Sequence, residues 1–137
     1  MQQLRLLDKN KNIKDLTILL RVDFNVPLQN KIVSDSTKIT KVKDIINNFL
    51  SRGAIVILCS HLGRPQLKGK VGFTLEPIKD AAEKIIGQEI TFIKENFKKI
   101  ISEKKLENKK LFLLDNIRFD TREESNSDEL SKDLADL

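Results

Sequence analysis

Residues 17–27 read TILLRVDFNVP, an apolar run that leaves through an arginine, an aspartate and an asparagine before stopping on a proline. The run Thr17-Ile18-Leu19-Leu20 shows no alternation of apolar with polar residues, so it reads as a strand covered on both faces. A strand that needs only to turn uses Gly, Asn or Asp, without strong charge. An exit through Arg21, Asp23 and Asn25 instead puts polar groups on a rigid support at a strand end.

Three further apolar runs have the same character, at 54–59, 89–93 and 110–114. Helical patterns separate them. Over 37–52 the residues Ile39, Val42, Ile45, Ile46, Phe49 and Leu50 fall on one stripe, Asp35 or Ser36 can cap the start, and Gly53 suits a left-handed end. A second helix is predicted over 75–86, with Thr74 as its cap, Pro77 in its first turn and Gly87 after its end. A shorter one near 95–105 carries Phe97, Ile100 and Ile101. The order β-α-β-α-β-α-β predicts an α/β fold, a three-layer α/β/α open parallel sheet. A turn at Gln29-Asn30 and a loop over 65–73 interrupt the alternation. Residues 127–137 begin another helix, capped by Ser127, with Asp128 and Glu129 in its first turn and Leu130, Leu134 and Leu137 in a stripe. That stripe stops in mid-pattern, which reads as an incomplete domain cut at Leu137.

With 137 residues and 39% hydrophobic content, the chain is long enough for one globular domain with a core. The net charge of +5 and the pI near 9.3 permit nucleic-acid binding. No Lys/Arg block or interleaving of basic with aromatic residues supports it, so no nucleic-acid partner is expected. Cys59 is alone, which excludes a disulfide framework and a cysteine zinc cluster; within its apolar run it reads as a buried, inert thiol. His61 is the only histidine, which excludes the common multi-histidine metal sites. No apolar run approaches the roughly 18 residues a membrane span needs. The start, MQQLRLLDKNKN, is polar and has no signal-like apolar region. These features predict a soluble, cytoplasmic protein without a membrane partner.

In an open parallel sheet, ligands bind beyond the carboxyl ends of the strands. The polar residues gather there: Arg21, Asp23 and Asn25; then Ser60-His61-Leu62-Gly63-Arg64-Pro65; then Asp115-Asn116-Ile117-Arg118. Lys38 opens the first helix, whose N-terminus favours an anion. Each residue alone has an ordinary account: a solvated arginine, a structural histidine, a turn-forming Asp23, a Gly63 required by the backbone. Together, several cations with an asparagine and one carboxylate suit a small ligand bearing phosphate and carboxylate groups.

The segments RVDFNVP, SHLGRP and LLDNIRF, in this order and spacing, resemble the signature segments of phosphoglycerate kinases. The resemblance covers nearly the whole chain, while the chain amounts to about a third of a full-length member. It implies a Rossmann-like N-terminal domain, here 1–137 and truncated, that holds 3-phosphoglycerate. A hinged C-terminal domain, absent here, would hold Mg-ADP or Mg-ATP, and closure would permit the glycolytic transfer of phosphate between 1,3-bisphosphoglycerate and ADP. It further implies the strand order 3-4-2-1 and a monomeric full-length protein. By motif, Asp23 and Asn25 would meet the substrate's hydroxyl and carboxylate end, with Phe24 contributing through its backbone. His61, Gly63, Arg64 and Arg118 would line the phosphate site, and Arg21 would support it.

One position departs from the pattern. In SDSTKIT, Lys38 stands where the family usually has the arginine that follows the moving phosphoryl group, and lysine lacks the planar fork of donors. Nothing here has the GxxxxGK[ST] pattern of a nucleotide site, and no metal site is expected, so the chain alone is expected to be inactive. The rival expectation is a stand-alone, non-catalytic α/β module that binds phosphorylated metabolites.

Overall fold

The computed structural model describes residues 7–69 and 71–137. The six residues that begin the polar amino terminus, and Lys70 in the 65–73 loop, lie outside the described residues. In chain order the elements are β1 (Thr17–Arg21), β2 (Leu28–Gln29), β3 (Ile32–Val33), α1 (Thr37–Ser51), β4 (Ile55–Cys59), α2 (Pro65–Lys68), α3 (Glu76–Ile86), β5 (Thr91–Ile93), α4 (Phe97–Leu106), β6 (Leu111–Leu114), a 3-10 turn (Ile117–Phe119) and α5 (Asp128–Ala135).

Four of the strands form one parallel sheet in the order β1-β4-β6-β5. Counting only these four along the chain, this is the expected order 3-4-2-1 read from the other edge. The apolar runs therefore mark the sheet correctly. Its central strands β4 and β6 are buried on both faces, which is why neither alternates in sequence.

The two faces carry separate cores. Val56, Leu58, Leu111 and Leu113 point to one side, where Ile39, Ile46 and Phe49 of α1 and Ile78, Ala82 and Ile86 of α3 cover them. Ile57, Cys59, Phe112 and Leu114 point to the other, under Ile101 of α4 with Leu134 and Leu137 packed at the margin. The handedness of crossovers explains the division. The chain steps from β1 to β4 and on to β5 in one direction, so α1 and α3 share a face. It steps back from β5 to β6, and α4 takes the opposite face.

The helix ends follow their local chemistry. The carboxylate of Asp35, not the hydroxyl of Ser36, caps α1 by accepting from the Thr37 N–H at 2.9 Å. Gly53 and Gly87 close α1 and α3 with φ of +83° and +77°. Ser127 accepts from the Leu130 N–H at 3.4 Å and caps α5. The Gln29-Asn30 turn is the tip of a small antiparallel hairpin, β2 with β3, in which Asn30 and Lys31 both adopt positive φ. The first turn of the 65–73 loop is helical, as α2.

Candidate functional site

The sheet itself selects a position for a ligand. The connection leaving β4 runs to α3 on one face, and that leaving β6 runs toward α5 on the other. A crevice opens between adjacent strands whose exits diverge in this way. The segments at that crevice are Ser60 to Arg64 and Asp115 to Arg118, with the exit of β1 alongside.

The exit of β1 continues in an extended form, with Val22, Phe24 and Val26 buried and Arg21, Asp23, Asn25 and Pro27 exposed. This alternation is why the segment mixes charge with apolar residues: one side anchors it and the other displays it. Phe24 is fully buried and contributes about 1.5–3 kcal/mol by leaving water. Its N–H donates to the hydroxyl of buried Ser60 at 2.9 Å, and its carbonyl accepts from Val26. The Phe24 N–H and carbonyl are thus both engaged within the fold. Ser60 also accepts at its carbonyl from the Ile117 N–H at 3.0 Å, tying the three strand exits together.

The displayed residues are linked across these exits. Lys38, on the first turn of α1, lies 2.8 Å from the Asp23 carboxylate and donates to the Asn25 carbonyl at 3.1 Å. The hydrogen bond that Lys38 donates to the Asp23 carboxylate is the main reason this carboxyl titrates below its ordinary value. Asn25 Oδ1 accepts from the Gly63 N–H at 3.4 Å, and Arg118 Nη1 donates to the Gly63 carbonyl at 3.2 Å. His61 is half-buried; burial lowers its pKa, and the charges of Arg118 and Arg21 lower it further. Arg64 is exposed, one residue beyond Gly63. Asp23, Asn25, Lys38, Gly63 and Arg118 therefore form one contiguous chain of contacts, with His61 within reach of its charges.

The family described as phosphoglycerate kinase matches this chain over residues 8–137. The chain belongs to that family. It is 40% identical over 128 residues to phosphoglycerate kinase of Thermosipho africanus, an alignment that takes in 92% of this chain and 32% of that protein. The phosphoglycerate kinase of Finegoldia magna is 36% identical over 135 residues, with 94% of this chain and 34% of that protein covered. The solved structure of phosphoglycerate kinase from Coxiella burnetii superposes with a TM-score of 0.77 at 27% identity, over 93% of this chain and 32% of the other. The chain spans about a third of the length of these relatives.

Within this chain, the polar residues after β6 divide between display and support. The Asp115 carboxylate accepts from the Leu75 N–H at 2.8 Å and from the Thr74 hydroxyl at 3.1 Å, so it braces the start of α3, where Thr74 in turn accepts from the Glu76 N–H at 3.2 Å. Buried Asn116 donates to the carbonyls of Leu62 at 2.7 Å and Phe73 at 2.9 Å, and accepts from the Arg118 N–H at 3.1 Å. It pins both ends of the loop after β4. A cavity of about 390 Å³ opens on the far side of β6, lined by Lys94, Asn96, Phe97, Asp115, Phe119 and Thr121 among others, away from Lys38 and His61.

Sequence reasoning missed the supporting roles of Ser60 and Asn116, and it missed Glu123 altogether. Glu123 approaches both Arg21 and Arg118. The signal for Ser60 and Asn116 was present, since a polar residue directly after a buried strand must find partners. Glu123 sits in the acidic stretch 120–124 and gives no such signal.

Proposed function

We propose that this chain is the 3-phosphoglycerate-binding portion of a glycolytic phosphoglycerate kinase, which transfers phosphate reversibly between 1,3-bisphosphoglycerate and ADP. The observation that carries the reading is the continuous line of contacts from Lys38 and Asp23 through Asn25 and Gly63 to Arg118 at the switch point of the sheet. A doubly charged phosphate is matched by the guanidinium donors of Arg118 and Arg64, with His61 beside them. Asp23 accepts from the substrate hydroxyl, and Asn25 serves its carboxylate end. Lys38 places its ammonium where the phosphoryl group moves. The reaction is a direct displacement, in which position and charge do most of the catalysis. Mg-ADP or Mg-ATP binds the remaining two thirds of the protein, so this chain alone binds substrate without turning it over.

Calorimetric titration of 3-phosphoglycerate into the chain tests this. Saturable binding is expected, weakened about tenfold or more by Arg118→Met and left unchanged by ATP. Absence of saturable binding, or binding indifferent to Arg118→Met, rejects the assignment.

A further inference from the structure

Glu123 lies outside the segments RVDFNVP, SHLGRP and LLDNIRF, yet its carboxylate reaches two of the strand exits. Oε1 accepts from Arg21 Nη2 at 3.3 Å, and Oε2 stands 3.5 Å from Arg118 Nε. Its side chain is 15% exposed, while that of Arg21 is 58% exposed. The acid therefore sits beneath the arginines, on the protein side. Arg118 Nε and Glu123 Oε2 are both buried and make no hydrogen bond other than this close ionic approach. With Nε turned to Glu123 and Nη1 on the Gly63 carbonyl, the guanidinium of Arg118 is held from two directions. Its remaining Nη donors are left for a ligand.

We propose that Glu123 is a positioning residue of the anion site, a two-sided carboxylate that fixes the directions of Arg21 and Arg118 together. The proposal rests on the reading of Arg118 as a phosphate ligand. Only an ionised carboxylate offers an acceptor oxygen on each side. A glutamine at 123 keeps the shape but turns an NH₂ group toward one of the two arginines, donor against donor. For Arg118, whose Nε is buried, that leaves a donor without its acceptor, and the guanidinium swings toward water. Glu124 does not replace it: its oxygen stands 4.0 Å from Arg118 Nε on a half-exposed side chain.

Charge and position predict opposite signs, which makes the proposal testable. Removing a negative charge from a cation-rich surface strengthens its attraction for anions. Losing the orientation of Arg118 weakens it. The experiment titrates 3-phosphoglycerate into the parent chain, Glu123→Gln, Arg118→Lys and the double variant by calorimetry. In parallel, ¹⁵N NMR follows the exchange of the Arg118 Nε–H with water. In Glu123→Gln we expect about tenfold weaker binding and markedly faster exchange of that proton. In the Arg118→Lys background the same substitution is expected to change affinity by less than about twofold, since no fork is left to orient. Equal or tighter binding by Glu123→Gln overturns the positioning role, and so does an equal loss in both backgrounds, which marks a general loosening of the fold. A parent chain that binds no 3-phosphoglycerate overturns the reading of the site and this role with it. A parent that binds normally while Glu123→Gln is unaffected overturns this role alone.

Discussion

His61 stands where a positive charge is disfavoured. Burial is the largest cause, Arg118 and Arg21 add to it, and Glu123 and Asp23 oppose it in part. Its folded pKa therefore lies below the ordinary 6.5. In the window between the two values the unfolded chain binds a proton that the folded chain does not, so stability falls as the pH drops below 6.5 and is fully restored above it. An NMR titration of the imidazole should give a midpoint under 6.5 that rises when inorganic phosphate is added, because the anion offsets the two arginines. A ligand-free midpoint at or above 6.5 contradicts this account of its surroundings. Lys38 makes a second residue-scale prediction. Its ammonium is already held by Asp23 and the Asn25 carbonyl, so under the proposed function it would meet a moving phosphoryl group as a single tethered charge. An arginine there retains the tether and adds donors that strengthen in the transition state, which raises kcat more than it changes KM. One or two added charged hydrogen bonds contribute roughly 1.5–3 kcal/mol each, so Lys38→Arg in a full-length protein should raise kcat about tenfold or more. Steady-state kinetics with an unchanged or lower kcat would show that lysine suffices.

Two residues at the ends of β4 and β6 govern how those elements deliver their loops. Gly63 has φ +57°, and a Cβ there would lie 2.2 Å from the Phe73 ring. Gly63→Ala should therefore cost about 1–3 kcal/mol from overpacking, with added strain from the left-handed backbone, read as a lower midpoint in denaturant. Asn116→Ala leaves the carbonyls of Leu62 and Phe73 without their donor. Each buried orphan costs about 1–3 kcal/mol, and the loop between them should lose protection in hydrogen exchange. Preserved protection in Asn116→Ala would mean that other contacts hold the loop. At this scale the sequence was informative wherever an element is long and periodic. The helices α1 and α3 and the strands β4 and β6 were legible from their apolar patterns, and Gly87 marked an end. The β2–β3 hairpin was only a turn in the sequence, because two-residue strands are too short to show a period. At α3 the Thr74 hydroxyl does accept from the Glu76 N–H at 3.2 Å, as its sequence suggests, but the brace that Asp115 adds from forty residues away was hidden. Glu123 was hidden for the same reason: an acid among acids looks solvated until the fold brings Arg21 and Arg118 to it.

Across the whole molecule, β1 and β5 are the edges of the four-stranded sheet, and β1 is the more exposed of the two. Among the described residues it pairs only with β4, and Leu19 on its more open face is 39% exposed. An uncovered edge with apolar side chains favours pairing between chains. Leu19→Lys should lower self-association in light scattering at matched concentration while the melting temperature changes little. Unchanged scattering would place the association elsewhere. The candidate site belongs to this scale as well, since Asp23, His61 and Arg118 follow three different strands and come together only in the assembled sheet. The sheet's order has a consequence for how such a chain is made. β6 is the last of the four strands along the chain, yet it lies between β4 and β5, which share no hydrogen bonds with each other. A ribosome extruding this chain releases β5 before the strand that gives it a neighbour exists, and β4 waits with one side open. Joining must be delayed until Leu111–Leu114 emerges and slots into the gap, closing contacts between distant parts of the chain, a slow kind of step. Nascent chains stalled before that point expose a strand-wide apolar slot, the sort of surface that chaperones retain.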